Sequence, residues 1–141
     1  WDLARVELLL WAGRIAEARA AALRALEVSR LTSFAWARAA AERELGRVAM
    51  VLQDEPAARN HLHAALELFR AIPARFEMGR THLDLARLPE AHDAAVGRRR
   101  HLGEALRAFR AARAPRYLDR AERLAMDLRV ADLTGDDASR S

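Results

Sequence analysis

Residues 61–72 read HLHAALELFRAI, and residues 101–112 read HLGEALRAFRAA. Between them His61 matches His101, Leu62 matches Leu102, Ala65 matches Ala105, Leu66 matches Leu106, Phe69 matches Phe109 and Arg70 matches Arg110, always at a step of 40 residues. A third copy stands upstream, with Ala25, Leu26 and Arg30 in the places of Ala65, Leu66 and Arg70. Trp36 and Phe76 keep the step on the segment that follows, and Tyr117 lies one residue further out. Within a copy the apolar residues recur at spacings of three and four, as in Leu62, Ala65, Leu66 and Phe69, which marks one stripe on a helix. A stripe repeated at constant separation is packing chemistry: each unit covers its apolar surface with another unit of the same kind.

Composition agrees with helix. The chain has 141 residues, enough for one domain of ordinary size, and an apolar fraction of 52% supplies a core. Alanine is abundant, while glycine (6) and proline (4) are scarce, and Ala is the best helix former where Gly and Pro are the worst. All 24 basic residues are Arg, which reads chiefly as a coding bias. The absence of cysteine removes disulfides and thiolate metal sites and makes a reducing cytoplasm the expected compartment. No apolar run approaches the roughly 20 residues that span a bilayer, and no signal peptide opens the chain; a soluble protein without membrane contact is expected. The start at Trp1, running into VELLLWAG (residues 6–13) with hardly any polar face, points to a longer parent, because a helix apolar all round is normally covered on both sides.

Turn signals cut each unit in two. Gly13-Arg14 interrupts the first; Gln53 to Pro56 interrupts the second, where Asp54 can cap the next helix and Pro56 is tolerated in its first turn; Pro89 to Asp93 interrupts the third. Thr32-Ser33, Pro73 and Pro115 separate one unit from the next. These signals predict helices at about 2–12, 14–29, 33–52, 55–71, 74–88, 91–113 and 115–131. They form units of about 1–31, 32–72 and 73–113 and a closing helix over 115–131. The polar residues 132–141 are expected to be a disordered tail.

These residues resemble the tetratricopeptide repeat family, whose hairpins carry a Leu-Gly pair in the first helix, a Gly-Asp-like turn and an Ala-Leu pair in the second. Leu45-Gly46, Asp54, Ala58, Leu62 and Ala65-Leu66 fill those places in the second unit, and GRIAEA (residues 13–18) with Ala25-Leu26 fills them in the first. The likeness covers residues 1 to about 131. It departs from the family in its period, longer than the usual repeat of about 34 residues, in Glu42 where an aromatic opens the first helix, and in Arg70 where a Pro closes the unit. In the third unit Arg98 replaces a small residue and Pro89 falls early, which predicts a helix ending near Leu88, a register slip of one, and Gly97 at the close contact. Such long Ala- and Arg-rich repeats look similar to the helical regions of large bacterial ATPase-linked regulators and of cyclase-linked signalling proteins.

The resemblance implies an all-α, right-handed superhelical solenoid of antiparallel hairpins. It also implies an interaction or effector-sensing module whose partner, a protein or an acidic peptide, lies in the groove of the first helices. The family's groove positions fall on Trp36, Ala40, Arg43 and Arg47 in unit two and on Phe76, Arg80, Leu83 and Arg87 in unit three. Guanidiniums beside aromatics suit carboxylates. The competing reading is that these arginines pair with Glu42, Glu44, Glu77 and Asp84, at roughly a few tenths of a kcal/mol per pair, and that the repeats only space or dimerise other domains. The family's chaperone-binding members clamp a peptide carboxylate with Lys and Asn, and these positions hold neither. Self-association through the apolar first or last helix is a further expectation.

Other chemistries find little support. His61 and His63 are two apart and so point to different sides of a helix, whereas a helical metal pair stands at i and i+4; no metal or cofactor is expected. Arg98-Arg99-Arg100 with His101 could touch phosphate, but the net charge of +4 is spread among 20 acids and no aromatics alternate with the basic run, which disfavours nucleic acid. Ser29, Thr32, Ser33 and Thr81 read as cap and turn residues, and without a nucleophile–base pair or a Gly-rich phosphate loop no catalytic residue is assigned and an enzyme is not expected.

Overall fold

Three-residue turns and continuous Ala-rich segments dictate the architecture. The computed structural model describes the backbone of residues 2–89 and 94–139, with side chains over 3–89 and 96–129. Expectations for Trp1, for 90–93 at the third divider and for 140–141 lie outside the described residues. Over the described residues the chain is all-α and contains no strand. Its helices are α1 (Asp2–Trp11), α2 (Ile15–Leu31), α3 (Ala35–Val51), α4 (Glu55–Ala71), α5 (Arg75–Arg87), α6 (Ala94–Ala111) and α7 (Pro115–Ser139). Each helix packs on its successor, while α1 also touches α3 and α5 touches α7. None of the described helices is long and apolar enough to cross a membrane.

Three residues separate α1 from α2, α2 from α3, α3 from α4, α4 from α5 and α6 from α7, so successive helices must reverse direction. Four of these five turns share one device. The left-handed residues Gly13, Ser33, Gln53 and Arg113 (φ between 52° and 71°) are each followed by an amide that reaches back to the last turn of the preceding helix, as Phe34 N–H does to Ser29 O at 3.2 Å and Ala114 N–H to Phe109 O at 3.0 Å. This closure satisfies carbonyls that a helix end leaves open. At the start of α4, Asp54 Oδ1 accepts from Ala57 N–H at 3.2 Å, with Pro56 in the first turn. α5 stops at Arg87 because Leu88, preceding Pro89, takes an extended ψ of 132°.

The repeated stripe turns inward. Ala58, Leu62 and Leu66 pack with Leu85 and Leu88, Ala65 and Phe69 pack with Ala39 and Ala40, and Leu102, Ala105 and Phe109 pack with Leu83 and Ala121. One ring contact recurs at the 40-residue step: Trp36 meets Phe69 edge-on at 6.5 Å between centroids, and Phe76 meets Phe109 at 5.9 Å.

Two differences from the sequence reading have physical causes. First, α7 continues through residues 132–139, where a disordered tail was expected. No proline follows Pro115, and a single interior glycine, Gly135, opposes helix by only about 1 kcal/mol. Second, α5 and α6 approach tightly at Gly79, where an added Cβ would lie 2.7 Å from Ala108 Cβ. Gly97, where the spacing suggested a close contact, stands at the opposite end of that hairpin, next to residues outside the described set. In unit two the tight point is Gly46 against Leu62, so the small residue changes place between units while the crossing remains.

Glycine substitutions test this packing. A Cβ at Gly79 meets a methyl group that cannot rotate away, so Gly79→Ala is expected to destabilise by about 1–3 kcal/mol. Gly103 has nothing within 4 Å of its Cβ direction, and Gly103→Ala should stabilise by about 0.5–1 kcal/mol. Urea unfolding followed by circular dichroism measures both.

Candidate partner-binding face

The odd-numbered helices bring a set of charges together. Arg43, buried on α3, donates from Nη1 to Glu77 Oε2 on α5, and its guanidinium lies 5.5 Å from the Phe69 ring centre. One turn on, Arg47 stands 3.3 Å from Glu44, 3.6 Å from Glu7 on α1 and 4.0 Å from Asp84 on α5. Arg80 lies 3.6 Å from Glu77 and over the Tyr117 ring at 5.2 Å, and Arg87 lies 3.5 Å from Asp84. The repeat is visible here too, since Glu44 and Arg47 become Asp84 and Arg87 after 40 residues. Four cations meet four anions, and the set ties α3 to both α1 and α5.

Burial raises the pKa of Glu44, against the opposing attraction of Arg47 and Arg43. Burial likewise raises that of Asp84, again opposed chiefly by Arg47. Burial works against the Arg47 charge, yet Glu44, Asp84 and Glu7 together hold its pKa above the ordinary value. The arrangement can therefore fix three helices relative to one another and present a mixed-charge surface; it offers no proton acceptor aimed at a nucleophile.

The residues assigned to a groove have different fates. Arg47, Arg80 and Arg87 reach the surface of this face, but each is engaged with a carboxylate. Arg43 is only 3% exposed. Ala40 and Leu83 are core residues and line nothing: both fall on the inward side of their helices, among the Ala65–Phe69 and Leu102–Phe109 stripes. Phe76 packs edge-on against Tyr117 at 5.2 Å, which leaves Trp36, 39% exposed, as the more open of the two aromatics assigned to the groove. The expected pairing of arginines with Glu44, Glu77 and Asp84 is present, whereas Glu42 pairs with a histidine.

That histidine contact belongs to a second repeated element. Glu42 Oε2 and His61 Nδ1 lie 2.8 Å apart between α3 and α4. Forty residues later the same places hold His82 and His101, whose Nδ1 atoms lie 2.9 Å apart, one donating and one accepting. The His101 ring also sits 6.1 Å from that of His63. Burial and the neighbouring His101 lower the His82 pKa from 6.5 to about 4, with Arg70 and Arg100 adding to the shift and Glu104 opposing it. The signal was present in the sequence: Glu42 and His82 keep the step of His61 and His101. Among the described residues no group of three or more His, Asp or Glu could hold a metal ion. Ser29 and Thr81 donate to the carbonyls of Leu26 and Glu77, as helix-bound hydroxyls do.

Comparison with known proteins finds no matching family model, no similar curated protein and no similar solved structure.

Two outcomes follow from this geometry. Arg47→Ala leaves Glu44 without its nearest cation and Asp84 with Arg87 alone, and should cost roughly 3 kcal/mol at neutral pH. That loss should shrink at lower pH as the stranded carboxylates protonate, measured by urea unfolding at pH 7 and pH 5. For His82 the folded pKa lies below the unfolded value, so its stabilising neutrality is complete above pH 6.5 and is lost as pH falls toward 4, by up to about 3 kcal/mol. The raised pKa values of Glu44 and Asp84 act with the opposite sign, so the difference between native chain and His82→Gln isolates the histidine: acid sensitivity in this window should be smaller in the variant.

Proposed function

We propose that the chain is a tetratricopeptide-like interaction module, a right-handed solenoid of three hairpins and a closing helix that binds a protein partner. The supporting observation is the charged face across α1, α3 and α5. Buried ion pairs of this kind contribute less stability than apolar side chains of similar volume, so packing alone does not call for them, and a mixed-charge surface with Trp36 at its edge suits a partner of complementary charge pattern. In this reading, which the long-repeat resemblance to bacterial regulators supports, the module belongs to a larger cytoplasmic signalling protein and binding is passed on by flexing of the helical stack.

A second reading rests on the same ion pairs. Because Arg43, Arg47, Arg80 and Arg87 are already engaged within the chain, the repeats could act as a spacer. In that reading the exposed Leu8 and Trp11 (82% exposed) of α1 supply a self-association surface. Capture from the source organism's lysate separates the two. Trp36→Ala/Arg87→Glu also removes the Trp36–Phe69 ring contact and the Arg87–Asp84 pair, so its melting temperature should fall while the helical circular dichroism signal at the capture temperature is kept and the captured partner is released. Equal capture by both chains, or concentration-dependent dimerisation abolished by Trp11→Lys, establishes the spacer instead.

A further inference from the structure

Alternating helix direction puts the α2–α3, α4–α5 and α6–α7 turns on one edge of the molecule and the α1–α2 and α3–α4 turns on the other. The two edges differ in charge. Residues 28–41, 68–76 and 107–118 hold eight arginines and no acid, whereas residues 10–20, 50–60, 85–89 and 96–100 of the opposite edge hold seven arginines and three acids. Of the eight, Arg70 and Arg107 pair with Glu67 and Glu104. Arg30, Arg38, Arg75, Arg110, Arg113 and Arg116 are exposed, and their guanidiniums meet no described carboxylate.

Arg30 and Arg110 stand in the last turns of α2 and α6, where a cation complements the helix dipole. Arg113, however, takes a left-handed φ of 52°, a conformation that disfavours any residue but glycine, and still carries a long cation into solvent. At the first turn the repeat breaks: Ser29 stands where units two and three have Phe69 and Phe109. Around Ser29 lies a cleft of about 370 Å³, lined by Phe34, Leu68, Ser33, Arg30 and Arg38 and by no acid. Beside it Leu31 is 80% exposed.

We infer that this edge binds an extended acidic segment of a partner protein, with an apolar side chain in the cleft between Arg30 and Arg38 and carboxylates along Arg75, Arg110, Arg113 and Arg116. Guanidiniums take carboxylates in a two-pronged geometry. Exposed Leu31 and Phe34 among the cations match leucines or phenylalanines of such a segment better than a phosphodiester chain, which offers no apolar side chain. The inference depends on the interaction-module reading only for the partner's being a protein; it places the contact on the turn edge and not on the charged face.

The test is fluorescence anisotropy at low salt with the labelled peptide Glu-Asp-Glu-Leu-Phe-Glu-Asp-Glu, its Gln/Asn counterpart and a labelled oligothymidylate. The acidic peptide should bind, lose affinity on adding salt, and bind about tenfold more weakly to Arg30→Glu/Arg38→Glu. Arg113→Gly should weaken binding while keeping or raising the melting temperature, since it removes a cation together with a strained conformation, and this keeps binding distinct from folding. Arg87→Glu, on the charged face, should leave this affinity unchanged even if lysate capture fails. Absence of binding, equal affinity of the edge variants and the native chain, or tighter binding of the oligothymidylate would overturn the inference, the last assigning the edge to nucleic acid.

Discussion

Charges removed from water must neutralise one another, and that requirement organises the middle of this molecule. Arg43, Glu44 and Asp84 are buried, and an unpaired ion in such surroundings is penalised by several kcal/mol. Arg43 therefore reaches Glu77, and Arg47 stands among Glu7, Glu44 and Asp84. These contacts fix how α3 meets α1 and α5. An apolar interface tolerates small slides, whereas a set of ion pairs holds at one relative placement, because every shift strands a charge.

Around this polar centre the apolar packing repeats with local adjustments. The stripes of α4 and α6 face the helices on either side, the Trp36–Phe69 and Phe76–Phe109 contacts recur at 40 residues, and the α3–α4 and α5–α6 hairpins cross tightly at Gly46 and Gly79. Where the pattern changes, chemistry changes with it. The Glu42–His61 pair becomes His82–His101, exchanging a carboxylate for a second imidazole whose burial opposes protonation. Replacement of Phe by Ser29 opens a cleft in the first.

Much of the fold was legible because it rests on local rules. The three-and-four spacing of Leu62, Ala65, Leu66 and Phe69 marks a buried stripe, and Asp54-Glu55-Pro56 marks a helix start; both depend on neighbouring residues alone. The tight approach at Gly79 was not legible, since Ala39 takes its place in unit two and only the partner helix shows which small residue lies at the crossing. The candidate face was half legible. Periodicity identifies Arg43, Arg47, Arg80 and Arg87 as neighbours, but it does not separate a guanidinium waiting for a ligand from one satisfied by Glu77 or Asp84, because that depends on contacts between helices 34 to 37 residues apart. Ala40 and Leu83 failed for the related reason that one rotation of about 100° per residue decides between groove and core.

The most direct measurement is a double-mutant cycle on Arg43 and Glu77, using Arg43→Met and Glu77→Gln with unfolding free energies from urea titration. If charge neutralisation between α3 and α5 fixes their placement, each single variant destabilises strongly, the double variant recovers part of the loss, and the coupling energy falls at about 1–3 kcal/mol. Additive losses, with coupling below about 0.5 kcal/mol, would contradict the account and leave apolar packing alone as the organiser of the stack.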